Sequence, residues 1–233
     1  MGPNRIIHGV SHVHATQEDE RSMAASAAET IGIVGAGKLG RTLARLSLAA
    51  GLSVVIHGSG PLARTARVLE SFDIAATPAS LDEVTAADIV VLAIPLSDAE
   101  VLDGSLFDRT IVVDPMNHWD EADGPRPDFD DPSTPTSMLV QRWFDRARVV
   151  KAFNHVAYKD LAGGARVSGD PHRWGVAVAA NDADAGTTVA AWVDAVGFDP
   201  VMVGSLAATY ALQPGQPLFG ATLSAAALET LLR

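Results

Sequence analysis

From residue 30 onward the hydrophobic positions fall into short β-branched runs, TIGIV, SVVIHG, DIVVLAI, TIVVDPM, RVVKAF and WGVAVAA, with a shorter DPVMVG further on. Most are continuous rather than alternating, as strands are when helices cover both faces of their sheet. The segments between them are rich in Ala and Leu at helical spacing, and strand–helix alternation of this kind is the sequence form of successive βαβ units. The expected fold is α/β: a Rossmann-type, doubly wound, mostly parallel sheet with a small carboxy-terminal cap. Between the first two runs, Leu39, Leu43, Leu46 and Ala50 predict one helix, with Gly51 available as its stop. A second helix is expected over Ala183 to Val196. Residues 118–136, HWDEADGPRPDFDDPSTPT, break the pattern and read as a long loop with six acidic residues against one Arg.

The turn between the first strand and the first helix carries the chemistry. Gly35, Gly37 and Gly40 stand in a G-x-G-x-x-G spacing directly after TIGIV. The first glycine permits the tight turn, the second lets backbone approach a pyrophosphate, and the third lets helix pack closely on strand. The first amides of that helix have no earlier carbonyl to bond and would face the phosphates with the positive end of the dipole. About 20 residues on, an NAD site carries an acidic group for the ribose 2′-hydroxyl. Here the chain reads VVIHGSGPLAR, with no carboxylate between Ser53 and Val68. Ser59 and Arg64 offer a hydrogen bond and a charge to a 2′-phosphate instead, which favours NADP; Arg64 as a solvated helix residue is the competing reading. Arg41 is a weaker second candidate.

Ligands of open α/β sheets sit beyond the carboxyl ends of the strands. Those ends carry Ile94, Pro95 and Leu96; Pro115, Met116, Asn117 and His118; and Phe153, Asn154 and His155. Apolar groups there suit a flat nicotinamide, and Asn154, His155 and His118 are the candidate catalytic residues, each histidine a possible proton donor or a plain loop hydrogen-bonder. No G-x-S-x-G elbow and no H-E-x-x-H spacing occurs. Hydride transfer needs no such apparatus when the acceptor supplies the electronics.

Composition narrows the classes. The chain has 233 residues, 48% of them hydrophobic and 19% charged, with a net charge of −11 and no cysteine. One well-covered domain with a small appendage fits that length. Disulfides and thiolate metal sites are excluded, a nucleic-acid partner is disfavoured for want of a basic cluster, and no run is long enough to span a bilayer. Residues 1–29 read as a flexible leader without a signal-peptide core, and His8, His12 and His14 within it read as solvated rather than metal-bound, so no metal is expected. The rest divides into an NADP-binding domain, 30–155, and a portion, 156–233, that extends the sheet and caps the cleft. A cytoplasmic location is expected.

Several segments together resemble one family, the NADPH-dependent reductases of coenzyme F420, or F420-dependent NADP oxidoreductases: IGIVGAGKLGRTLARLSLAAG, VVIHGS, DIVVLAIPL, VVKAFNHV, GFDPVMVGSLAA and QPGQPLFG. The resemblance implies a homodimer in which hydride passes directly between NADP(H) and a deazaflavin held face to face. It implies Gly35, Ala36, Gly37, Lys38, Leu39 and Gly40 at the phosphates, Ser59 and Arg64 at the 2′-phosphate, and Ile94 and Pro95 beside the nicotinamide. Ala152, Phe153 and Asn154 would meet the deazaflavin, with Leu218 and Phe219 lining it from the carboxy terminus. The chain departs from the family in having Gly60 after Ser59, where Ser-Arg is common, and in its long acidic loop, which lies badly with an anionic deazaflavin tail. Two alternatives stay open at this level: an NADPH-dependent reductase of another small acceptor, such as a flavin or an imine, and a non-catalytic NADP-binding sensor.

Overall fold

The computed structural model describes residues 28–129, 131 and 133–232. The segment 1–27, with His8, His12 and His14, lies outside them. The strands are β1 (Thr30–Val34), β2 (Ser53–His57), β3 (Thr77–Pro78), β4 (Ile89–Leu92), β5 (Ile111–Asp114), β6 (Arg148–Ala152), β7 (Gly175–Ala180) and β8 (Asp199–Gly204). They form one sheet in the order β3-β2-β1-β4-β5-β6-β7-β8. All neighbours run parallel except β6 and β7. The mostly parallel α/β architecture expected from the sequence is the one observed.

The apolar runs become strands because both of their faces are buried. On β4, Ile89 and Val91 join one core cluster, while Val90 and Leu92 join the cluster on the other face. Helix α1 (Lys38–Ala49) lies on the first cluster through Leu43, and Gly51, with φ +83, reverses the chain after it. The order of strands reverses at β1, whose neighbours are β2 and β4. Chain leaving β1 and chain leaving β4 therefore diverge to opposite faces, opening a crevice at their carboxyl ends.

The remaining helices are α2 (Leu62–Ser71), α3 (Leu81–Thr85), α4 (Leu96–Glu100), α5 (Asp120–Asp123), α6 (Thr136–Trp143), α7 (Tyr158–Gly164), α8 (Ala183–Ala195) and α9 (Ala225–Leu231). Among the described residues no helix is long and apolar enough to cross a membrane. Strand β3, at two residues, is too short to leave a periodic signal. The acidic stretch corrects the expectation of a plain loop: α5 and a 3-10 turn at Pro127–Phe129 lie within it. Phe129 is buried, its ring packed edge-on against His118 and against Trp143. A single large apolar side chain thus pins a polar segment to the protein, a signal without periodicity.

Candidate functional site

The turn after β1 separates two kinds of glycine. At Gly35, with φ +114, an added Cβ would stand 2.2 Å from the Ala93 carbonyl oxygen, and at Gly40 it would stand 2.0 Å from that of Gly35. Those two are required by the protein's own packing. At Gly37 an added Cβ would meet nothing within 4 Å. Gly37 is also the N-cap of α1, with no side-chain cap hydrogen bond. The open side of the turn and the amides of the first helical turn thus fit the pyrophosphate of a dinucleotide.

A groove of about 390 Å³ runs from this turn, lined by Arg41, Gly58, Ser59 and Arg64 on one side and by Ile94 and Pro95 on the other. The Arg64 side chain is exposed and makes no hydrogen bond or ion pair among the described residues. Arg41 is more firmly held: one guanidinium nitrogen donates to the Ala36 carbonyl at 2.7 Å, and the group lies 3.8 Å over the Phe72 ring. Both arginines therefore border the place where a 2′-phosphate would lie, whereas the sequence favoured Arg64. Asp98, in the first turn of α4, is the acidic residue on this groove's lining.

Beyond Ala93, Ile94 and Pro95, which line both, the groove opens into a larger cleft of about 980 Å³. Its walls are the ends of three strands: Ile94 and Pro95 after β4, Pro115, Met116 and Asn117 after β5, and Phe153 and Asn154 after β6. Trp119 and Phe219 stand at its edge with ring centroids 5.6 Å apart. Across from them, Lys38 Nζ lies 5.6 Å from the Tyr158 ring. Phe153 has φ +64, a conformation that costs a bulky residue about 1–3 kcal/mol. Its ring is anchored away from the opening, 5.0 Å from Trp192, so the residue meets the cleft mainly through backbone.

Two amides brace the strand ends. Asn117 Nδ2 donates to the Asn154 carbonyl at 2.9 Å, and Asn154 Nδ2 donates to Asn117 Oδ1 at 3.2 Å and to the Leu212 carbonyl at 2.8 Å. The two bonds to Nδ2 fix the orientation of the Asn154 amide. Its buried Oδ1, on a residue that lines the cleft, has no hydrogen-bond partner among the described residues. Beneath this wall, Lys151 and Asp114 face each other in register across β6 and β5. Lys151 Nζ lies 3.1 Å from Asp114 Oδ2 and donates to the Met116 carbonyl at 2.6 Å, while Asp114 Oδ1 accepts from the Met116 amide at 2.9 Å and Oδ2 from Ser137 Oγ at 2.7 Å. Burial pushes the Lys151 ammonium down and Asp114 pulls it up. The sequence reading passed over this pair; its signal was a charge, Asp114 or Lys151, directly after a pair of valines in each of two neighbouring strands.

Several expected site residues stand behind the cleft rather than on it. Ala152 is buried in the core, and Leu218 packs with Ala177, Val201, Leu212 and Leu228. His118 lines a smaller adjoining pocket, where its Nε2 lies 2.9 Å from the Gly124 carbonyl. The expectation of His155 as a proton donor is corrected: its ring is 1% exposed, and Nε2 accepts from the Ala177 amide at 3.0 Å. Its carbonyl accepts from the Gly220 amide at 2.7 Å, which holds Phe219 at the cleft edge. The residue is a clasp.

Burial pushes the His155 imidazole from 6.5 to about 4. The unfolded chain takes up a proton near its ordinary value while the folded ring stays neutral. Stability from this site is therefore complete above about pH 6.5 and is lost toward pH 4, by about 3 kcal/mol. Urea denaturation at about pH 7 and pH 4.5 should give a shallower loss for His155→Gln than for the parent. Identical losses would remove His155 from this role.

Residues 30–118 match the family model described as NADP oxidoreductase, coenzyme F420-dependent. That stretch runs from β1 past the end of β5, and over it the resemblance drawn from the sequence is borne out. The matched stretch contains the turn that carries Gly35, Gly37 and Gly40. Among solved structures, a hypothetical protein of Sinorhizobium meliloti is 29% identical, with 88% of this chain and 98% of that chain covered at a TM-score of 0.73. A protein of Arthrobacter sp. fb24, described as a candidate F420-dependent NADP reductase, is 25% identical over 78% of this chain and 86% of its own, at a TM-score of 0.63. A pyrroline-5-carboxylate reductase of Coxiella burnetii, 15% identical over 89% of this chain and 68% of its own at a TM-score of 0.54, shares the fold. No curated protein matches the sequence.

Proposed function

Proceeding from a nucleotide-binding stretch that matches the coenzyme F420-dependent NADP oxidoreductases, we propose that this protein moves a hydride between NADP(H) and a deazaflavin of the F420 type. The observation that carries the proposal is the continuity of the two cavities: the dinucleotide groove leads past Ile94 and Pro95 into an apolar cleft of about 980 Å³. NADPH, when bound, supplies the hydride. The chain's own part is positioning. The turn at Gly35–Gly40 and the α1 amides hold the pyrophosphate, Arg41 and Arg64 meet the 2′-phosphate, and Ile94, Pro95 and Met116 offer apolar faces to flat rings while keeping water out. Asn154 Oδ1 takes an N–H of a bound ring or carboxamide. Alignment of this kind accounts for a large share of a barrier when the reactants need no acid or base.

The test is anaerobic mixing of the protein with NADPH and the oxidised deazaflavin, following the deazaflavin absorbance. Loss of absorbance above the protein-free control is expected; none, with NADPH demonstrably bound, overturns the proposal. For the nucleotide, Arg64→Ala should weaken NADPH by about tenfold, the worth of one exposed charge-assisted contact, and leave NADH nearly unaffected. Equal losses for both would take Arg64 out of the 2′-phosphate site.

A further inference from the structure

Three aromatic side chains, Trp119, Tyr158 and Phe219, line the apolar cleft, and the first two are among the exposed large side chains of the protein. Tyr158 already has a cation beside its ring, Lys38 Nζ at 5.6 Å from the centroid. Phe219 meets Trp119 at an interplanar angle of 66°. An edge contact of that kind covers at most one face of the indole, and Trp119 is 45% exposed. Of the three rings, Trp119 has the broadest surface left for a flat ligand.

A stacking face is useful to a hydride transfer only if it is fixed relative to the donor. Trp119 is fixed through its backbone. Its amide donates to Asp123 Oδ2 at 2.9 Å, and its carbonyl accepts from the Asp123 amide at 2.8 Å. The other carboxylate oxygen, Asp123 Oδ1, accepts from the Ser97 amide at 2.9 Å. Ser97 lies in the first turn of α4, whose N-cap, Pro95, has no side-chain cap hydrogen bond. Asp123 thus caps α4 from 26 residues away. At the other end of the same short helix, Arg126 Nη1 lies 2.8 Å from Glu100 Oε2. The acidic stretch is clipped to α4 at both ends, and one carboxylate joins Trp119 to the wall that carries Ile94 and Pro95.

We propose that Trp119 is the stacking face for the planar ring of the acceptor, and that Asp123 is a positioning residue that sets this face relative to the nicotinamide side of the cleft. The inference rests on the deazaflavin reading above and adds to it the residues that recognise the acceptor's ring. Trp119 favours an extended aromatic acceptor, because a small aliphatic imine offers too little flat surface to cover the indole.

The experiment is anaerobic turnover of oxidised coenzyme F420 with saturating NADPH, with a thermal melt of each variant. Trp119→Ala should keep the parent's melting temperature and NADPH affinity and raise the deazaflavin KM about tenfold, the usual worth of one stacked ring. Trp119→Phe, which keeps a ring, should recover most of that loss. Asp123→Asn sets an amide N–H against one of the two backbone donors and should raise the same KM about threefold in the parent, yet add nothing in Trp119→Ala, where the face it positions is gone. Oxidised deazaflavin added to the protein with NADP+ should quench tryptophan emission more in the parent than in Trp119→Phe. A parent-like KM in Trp119→Ala, or equal quenching in the parent and Trp119→Phe, overturns the stacking face and leaves the deazaflavin reading standing. An Asp123→Asn loss of the same size in both backgrounds overturns the positioning role. No turnover by the parent, with NADPH bound, overturns both the inference and the reading beneath it.

Discussion

Gly37→Val keeps the melting temperature within about 2 °C of the parent and weakens NADPH more than about 100-fold. The two halves of that result have separate causes. Gly37 sits at φ −72 and ψ −168, extended backbone that valine adopts readily, and a Cβ there meets no atom of the protein within 4 Å. Folding therefore has no reason to fail. The same space is where the pyrophosphate of the proposed nucleotide would approach the turn, and a branched side chain in it would push the phosphates away from the α1 amides. Gly35→Ala and Gly40→Ala are the contrasting variants, since their Cβ atoms would collide with the carbonyl oxygens of Ala93 and Gly35. Both should lose stability. Thermal melts with titration calorimetry separate the cases, and NADPH binding by Gly37→Val at parent affinity would remove the turn from the nucleotide site.

Replacing Asp114 by Ala lowers stability by about 3–5 kcal/mol, because it strands the buried Lys151 ammonium. Lys151 is wholly buried, and its remaining hydrogen bond would be to the Met116 carbonyl. Ser137 Oγ and the Met116 amide would lose their acceptor in the same step. Met116 and its neighbours Pro115 and Asn117 line the cleft, so the damage reaches the site as well as the fold. A double replacement, Asp114→Leu with Lys151→Met, removes both charges and should recover a substantial part of the loss. Urea melts at constant m-value are the measurement. A loss below about 1 kcal/mol for Asp114→Ala would mean that the pair is not carried as a buried ion pair.

The sheet was legible because a strand buried on both faces announces itself within a handful of residues. Run after run, TIGIV to DPVMVG, became a strand with ends displaced by a residue or two. Phe129 shows the opposite case: an isolated aromatic in an acidic, Pro-rich stretch has no periodicity to be read, yet its burial turns an expected loop into a folded wall. His155 shows a third. At the end of an apolar strand an imidazole looks like an acid or base, and only the position of β7 reveals that Ala177 already occupies its nitrogen.

Sequence alone determined the strand–turn–helix order, the glycine spacing at 35, 37 and 40 and the absence of a carboxylate after β2, because each rests on neighbours along the chain. The tertiary structure decided which polar groups meet. Asn117 and Asn154 are 37 residues apart, Asp114 and Lys151 likewise 37, and Thr136 and Gln213 are 77 apart. Such pairs arise from strand register and from the packing of the segment around Gln213 against the start of α6, and no local preference of either partner encodes them. The glycine turn is thus written in short-range spacing, while the cleft beyond it exists only once distant segments have closed on one another.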